Sequence, residues 1–216
     1  MKKKIFAAAV ITLLALAFIV CVIKVDVAVI TPPGTQVGFS SLNAWFHQLT
    51  GVNPGCYAAS DVLGWLALAL ILPFALMGLI QWIRRRDLLK VDGELLTMGG
   101  LYIVQGALYL LFDKVVINCR PILMAGETEL ASSFPSSHTM LSITVLFSIF
   151  MVLDRFIQSK PLCTVLRITA VVYSLALITL RLLSGAHWLT DVLGGVLISV
   201  AELSWFRAFL PAKKEK

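Results

Sequence analysis

Long apolar stretches alternate with short polar ones along this chain. Hydrophobic runs cover residues 5–23, 63–83, 95–112, 140–157, 162–183 and 188–210, with turn-forming or charged residues between them. Each run is close to the roughly 20 residues that one helix needs to cross a hydrocarbon core about 30 Å thick. The pattern predicts an all-α integral membrane bundle of six transmembrane helices. It forms a single membrane domain over 1–216, with no linker, internal repeat or low-complexity tract. The first run follows Lys2-Lys3-Lys4, is longer than a usual signal core and lacks a small-x-small cleavage site near its end, so it is read as a retained span. A lipoprotein reading of Cys21 fails on Val20, where such signals carry a small residue.

Composition agrees with lipid as the solvent. The chain is 59% hydrophobic and 14% charged, against about a quarter charged in soluble domains, and its mean hydropathy is +0.91. A formal charge of +6 would suggest a nucleic-acid partner in a soluble protein, but here the cations flank apolar runs as topology signals do, which excludes nucleic acid. An even number of crossings puts both termini on one side. Lys2, Lys3, Lys4, Arg84, Arg85, Arg86, Lys90, Arg155, Lys160, Arg167, Arg207, Lys213, Lys214 and Lys216 share that side, 14 of the 18 basic residues. The positive-inside rule makes this side cytoplasmic. Only Lys24, Lys114, Arg120 and Arg181 lie opposite.

The outer loop, about 25–60, carries the turn signals Pro32-Pro33-Gly34 and Asn53-Pro54-Gly55 around an amphipathic stretch at 42–49. Trp45 and Phe46 suit an interfacial anchor, and His47 reads as interfacial too. Of four cysteines, only Cys56 and Cys119 lie where an outer disulfide is open to them. No metal-ligand spacing stands out.

Chemistry concentrates in three clusters on the outer side: Lys114 with Arg120-Pro121, Pro135-Ser136-Ser137-His138, and Arg181 with His187 and Asp191. Charged residues at membrane depth are rarely there for packing. His187 and Asp191 are four apart and share a helix face, so the carboxylate can take a proton from one ring nitrogen and leave the other a lone pair. A helix-capping Asp beside a satisfied His fits the same spacing. Arg120 and Arg181 are planar forks suited to phosphate oxygens, or ordinary arginines snorkelling to the interface. Ser136 or Ser137 sits near the N-cap of the fourth span, where unpaired N–H groups and the dipole attract anions. A plain serine cap explains them as well, and leaves His138 unused. His138 and Arg181 are 43 positions apart, about 65 Å of helix or two crossings, so a pocket can close among the ends of the third, fourth and sixth spans.

Over about 114–195 these clusters resemble the three-part signature of the type 2 phosphatidic acid phosphatase family, related to bacterial acid phosphatases and vanadium haloperoxidases. The family pattern is Lys, six residues, Arg-Pro; then Pro-Ser-Gly-His; then Ser-Arg, five residues, His, three residues, Asp. Arg120-Pro121, Pro135, Ser136, His138, Arg181, Gly185, His187 and Asp191 match. Lys114 lies one position out of register, Ser137 stands where the family has glycine, and Leu180 where it has serine. The resemblance implies a phosphatase without metal or cofactor. In it His187 attacks phosphorus to form a phosphohistidine, Asp191 orients it and His138 serves as acid. Arg120, Arg181, Ser136, Ser137 through its backbone, and Lys114 hold the phosphoryl oxygens. The implied substrate is a lipid phosphate or diphosphate of the undecaprenyl diphosphate, phosphatidylglycerophosphate or phosphatidic acid type, met at the outer face of the cytoplasmic membrane with no obligate protein partner. Two other readings are a non-catalytic lipid-phosphate-binding member, suggested by Ser137 and Leu180, and a membrane transporter. Interior polar groups beyond Gln105 and Glu202 are too few to favour the transporter.

Overall fold

The computed structural model describes residues 1–31, 34–124 and 126–212. Pro32 and Pro33 of the expected turn, and the expected inner cations Lys213, Lys214 and Lys216, lie outside the described residues. Helix α1 spans Lys2–Lys24 and leads into a hairpin of β1 (Ala28–Thr31) and β2 (Thr35–Val37), then the short helix α2 (Ser40–Thr50). Helices α3 (Pro54–Ala69) and α4 (Ile71–Arg85) form one bent crossing, and a 3₁₀ turn, Leu88–Lys90, links them to α5 (Gly93–Lys114). Helices α6 (Ser137–Phe156), α7 (Lys160–Leu183) and α8 (Leu189–Phe209) complete six crossings long and apolar enough to span a bilayer. The chain is a helical multi-pass bundle, as its hydropathy pattern predicts, with one small hairpin added.

The second crossing differs most from expectation. Asn53 is an N-cap whose side chain accepts from the Cys56 amide at 3.1 Å, with Pro54 in the first helical position, so Asn53-Pro54-Gly55 starts a helix instead of turning a loop. The helix therefore begins nine residues before the apolar run at 63. It breaks after Ala69, where the Pro73 ring cannot tolerate a carbonyl four residues back.

Helices α6 and α8 form the centre: 56% of each spanning window is buried, against 17% for α1 and α7 and 11% for the α3–α4 crossing. They approach closely because small residues line the contact. A Cβ on Gly195 would lie 3.0 Å from the Ser136 carbonyl oxygen, and one on Gly194 2.4 Å from the Phe134 ring. Gly194-Gly195 thus serves close packing. Helix α1 lies along α8, where Trp205 Nε1 donates to Thr12 Oγ1 at 2.9 Å.

The segment between α1 and α3 is a lid fastened over the start of α8. Buried Asn43 on α2 donates to the Gly38 carbonyl at 2.7 Å and to Thr190 Oγ1 at 2.9 Å, and accepts from the Thr190 amide at 3.2 Å. Trp45 is 58% exposed, in keeping with an interfacial position. Cys56 and Cys119 are both free thiols, so the outer disulfide is not formed. Removing Asn43 leaves the buried Thr190 groups without partners, which costs about 1–3 kcal/mol. Asn43→Ala is expected to lower the thermal unfolding midpoint in detergent, whereas Trp45→Ala leaves it nearly unchanged; equal midpoints for Asn43→Ala and the parent chain would contradict this.

Candidate active site

The loop between α7 and α8 carries His187 and is held from above. Gly185 adopts φ +69°, and a Cβ there would lie 2.5 Å from the Gly51 carbonyl oxygen, so only glycine fits. The Asn53 amide donates to the Ser184 carbonyl at 3.2 Å, and His47 Nε2 to the Gly185 carbonyl at 3.2 Å. His47 therefore braces this loop; the interfacial reading of it is corrected. Trp188 Nε1 donates to the Cys119 carbonyl at 2.8 Å and ties the loop to the α5–α6 connection.

These anchors place the buried His187 ring with Nδ1 3.1 Å from the Ser133 carbonyl oxygen. A carbonyl only accepts, so the proton lies on Nδ1 and Nε2 holds the lone pair. Nε2 has no hydrogen-bond partner among the described residues. Burial is the largest influence on this imidazole and holds it below its ordinary value; Asp191 opposes the shift, while Arg181 and Arg120 add to it.

Asp191 was expected to accept the ring proton directly. Instead its Oδ2 is 3.8 Å from Nδ1, too long for a hydrogen bond. Its oxygens accept from the Trp188 amide at 2.9 Å and from Asn118 Nδ2 at 3.0 Å. Asp191 caps α8 and acts on His187 as a nearby charge, not as the acceptor of its ring proton.

Ser136 is the buried N-cap of α6, yet its hydroxyl receives the Thr139 hydroxyl at 3.0 Å and caps no helix amide. Its own amide donates to the Asp191 carbonyl at 2.9 Å, joining the starts of α6 and α8. Ser137, the first residue of α6, lines a cavity of about 80 Å³ with His187, Ser132, Ser133, Tyr109 and Asp113. That is a few water volumes, room for a phosphoryl group and far below the roughly 300 Å³ minimum for drug-sized ligands.

His138 is not among the residues lining that cavity; it meets Arg181 and a residue missed in the sequence. Its Nε2 lies 2.9 Å from Asp61 Oδ1, and its Nδ1 contacts the Arg181 guanidinium. A guanidinium has no acceptor, so Arg181 donates to Nδ1 and Nε2–H donates to Asp61. Arg181 is fully buried, donates to Ser60 Oγ at 3.0 Å, lies 3.9 Å from Asp61 and stands 5.0 Å over the Tyr57 ring. Tyr57, Ser60, Asp61 and Gly64 share one face of α3. A Cβ on Gly64 would lie 2.2 Å from the His138 ring, so that glycine makes room for it. The site draws on the second span, which the expected pocket left out. Polar residues at helical spacing entering an apolar run were the available signal.

Arg120 keeps its backbone in the α5–α6 connection through the Ala131 carbonyl, at 3.0 Å, and its buried Nε has no hydrogen-bond partner among the described residues. Its charge acts on both His138 and His187, and His187 acts on His138 as well. Lys114 is not drawn in: its side chain is 81% exposed and ion-paired with Asp113 at 2.8 Å. The expected phosphate contact from Lys114 is corrected to a surface pair. Asp113, seven residues before Arg120, occupies the register of the family lysine and reaches the cavity wall.

The arrangement juxtaposes an unprotonated buried imidazole nitrogen, two arginines and a helix N-terminus, a set suited to phosphoryl transfer. No curated protein sequence matches this chain. Among solved structures, a transmembrane PAP2-type phosphatidylglycerolphosphate phosphatase from Bacillus subtilis shares the fold, with a TM-score of 0.61 and 18% identity over 94% of each chain. Residues 94–215, more than half of the chain and containing all three motif clusters, match the PAP2 superfamily, to which this protein belongs.

Proposed function

We propose that this protein is a membrane phosphatase that removes phosphate from a lipid phosphate or diphosphate. The observation that carries the reading is the His187 ring, with its proton held on Nδ1 by the Ser133 carbonyl and an unpartnered lone pair on Nε2. Nε2 attacks phosphorus, the bond to the leaving oxygen breaks, and a phosphohistidine forms. Water then attacks that phosphorus, the P–N bond breaks, and inorganic phosphate leaves. Membership of the PAP2 superfamily supports this chemistry.

His138 is the acid in the first step and the base in the second. A neutral imidazole cannot give up its only N–H, so His138 must first gain a proton. Arg181 now occupies Nδ1. A phosphoryl group draws the guanidinium toward its oxygens, Nδ1 takes a proton from the arriving phosphate monoanion or from water, and that proton passes to the leaving oxygen. In the second step Nδ1 accepts a proton from the attacking water. Asp61, on Nε2, keeps the ring fixed throughout and is a positioning residue. Arg120, Arg181, Ser136 and the amide of Ser137 hold the phosphoryl oxygens.

The small cavity favours a lipid: it admits a head-group phosphate while the hydrocarbon stays between helices. Undecaprenyl diphosphate, phosphatidylglycerophosphate and phosphatidic acid are the candidate substrates. The asymmetry of basic residues favours cytoplasmic termini and a reaction at the outer face of the cell membrane.

Purified protein in detergent with a chelator is expected to release phosphate from at least one of these lipids, and His187→Ala to lose activity by about 10⁴-fold or more. Equal release by both proteins excludes the mechanism, and tight lipid binding without release supports a non-catalytic binder instead. The depressed proton affinity of His187 sets the acid limb of kcat/KM. Protonation destroys the nucleophile, and a lowered value means protonation occurs only at lower pH, so the limb should fall below the ordinary imidazole value of about 6.5. A limb at or above 6.5 contradicts the assignment. Asp61→Asn is expected to reduce kcat by roughly 10- to 100-fold with a much smaller change in KM. An equal change in both parameters would make Asp61 a substrate-binding group.

A further inference from the structure

The end of the bundle away from the histidines holds a second, larger basic site. A cavity of about 770 Å³ opens among the ends of α1, α6, α7 and α8, within the usual range of roughly 300–1,000 Å³ for ligand pockets. Lys4, Arg155, Arg167 and Arg207 line it, with Asp154 the only acid in its walls among the described residues. Arg155 is committed to the structure, donating to Glu94 at 2.5 Å and to the Pro211 carbonyl at 2.7 Å. The other three are not similarly used. Arg167 reaches Asp154 only at 3.5 Å, stands 5.2 Å over the Phe150 ring and has a buried Nε without a hydrogen-bond partner among the described residues. Lys4 and Arg207 form no ion pair among the described residues.

A topology signal needs cations at the surface and no cavity. Arg167 lies seven residues into α7, about 10 Å along the helix from Lys160, below the level of terminal lysines, and the cavity reaches it. The walls beside the cations are apolar, with Phe150, Met151 and Leu210. Such a setting suits an anion whose other end is hydrocarbon.

We propose that this cavity binds the phosphate of an anionic phospholipid without turning it over, gripped by Lys4, Arg167 and Arg207 while the acyl chains run along Phe150 and Leu210. The site is independent of the reaction at His187. It makes occupancy of the bundle's basic end depend on the charge of the surrounding lipid.

The test titrates detergent-purified full-length chain with dioleoylphosphatidylglycerol, dioleoylphosphatidylcholine or inorganic phosphate and counts bound molecules by native mass spectrometry. Wild type is expected to retain phosphatidylglycerol in preference to phosphatidylcholine. Lys4→Gln with Arg207→Gln, which removes only cations without ion-pair partners among the described residues, should bind it about 30-fold more weakly. Arg167→Gln should weaken it as well, and unchanged phosphate release at the His187 site shows that the variants are folded. Three outcomes overturn the proposal: unchanged phosphatidylglycerol binding in these variants, equal retention of phosphatidylcholine, or inorganic phosphate competing lipid away at comparable concentration, which would mark a site for a free anion.

Discussion

One hydrogen bond decides what this site can do, the contact from His187 Nδ1 to the Ser133 carbonyl. Were the proton on the other nitrogen, a lone pair would face a lone pair across 3.1 Å, and Nε2 would be a donor beside two arginines with nothing to attack. The carbonyl is itself fixed: the amide and hydroxyl of Ser133 both donate to the Asn118 carbonyl, at 2.9 and 3.2 Å. The Asn118 side chain reaches in two directions, donating to Asp191 and accepting from the Gly38 amide at 3.3 Å. The tautomer of a single ring is thus tied to the start of α8 on one side and to the outer lid on the other.

The lid and α3 divide the work. The lid holds backbone: Asn43 grips Thr190, and His47 and Asn53 hold the carbonyls of Gly185 and Ser184. Helix α3 holds charge. A buried guanidinium loses several kcal/mol of hydration unless partners replace the water. Ser60, the Tyr57 ring, Asp61 and His138 do so for Arg181. Neither His187 nor Arg181 is positioned by its own helix alone, which explains why a polar segment between two spans is folded so tightly.

Six crossings were legible because hydropathy has one period and one cause: roughly 20 apolar residues fill a bilayer. The groups at His138, Arg181, His187 and Asp191 were legible because charge at the end of an apolar run has few bland explanations. Asp61 was not. It lies two residues before the hydrophobic run at 63, and Asn53-Pro54-Gly55 has the composition of a turn as much as of a capped helix start. Only its contact with His138, 77 positions away in sequence, gives it meaning. Lys114 failed in the opposite way: its residue type suited phosphate, but the next position along the helix turns it outward, where Asp113 neutralises it. A shift of one residue on a helix is a rotation of about 100°, ample to move a side chain out of a cavity of about 80 Å³.

That rotation also changes the charge of the pocket. Arg120 and Arg181 balance Asp61 and Asp191 while both imidazoles are neutral, and the Asp113–Lys114 pair adds nothing net. A phosphoryl dianion entering this formally neutral site adds two negative charges to it. Uptake of one proton offsets half of that added charge, and the imidazole between Asp61 and Arg181 is the group placed to accept it. In the proposed mechanism the proton needed to expel the leaving oxygen is then recruited by the charge of the substrate itself. Asp113, at the register of lysine in the motif this chain resembles, strengthens that dependence in the proposed mechanism, because it lines the cavity where that lysine would place a positive charge.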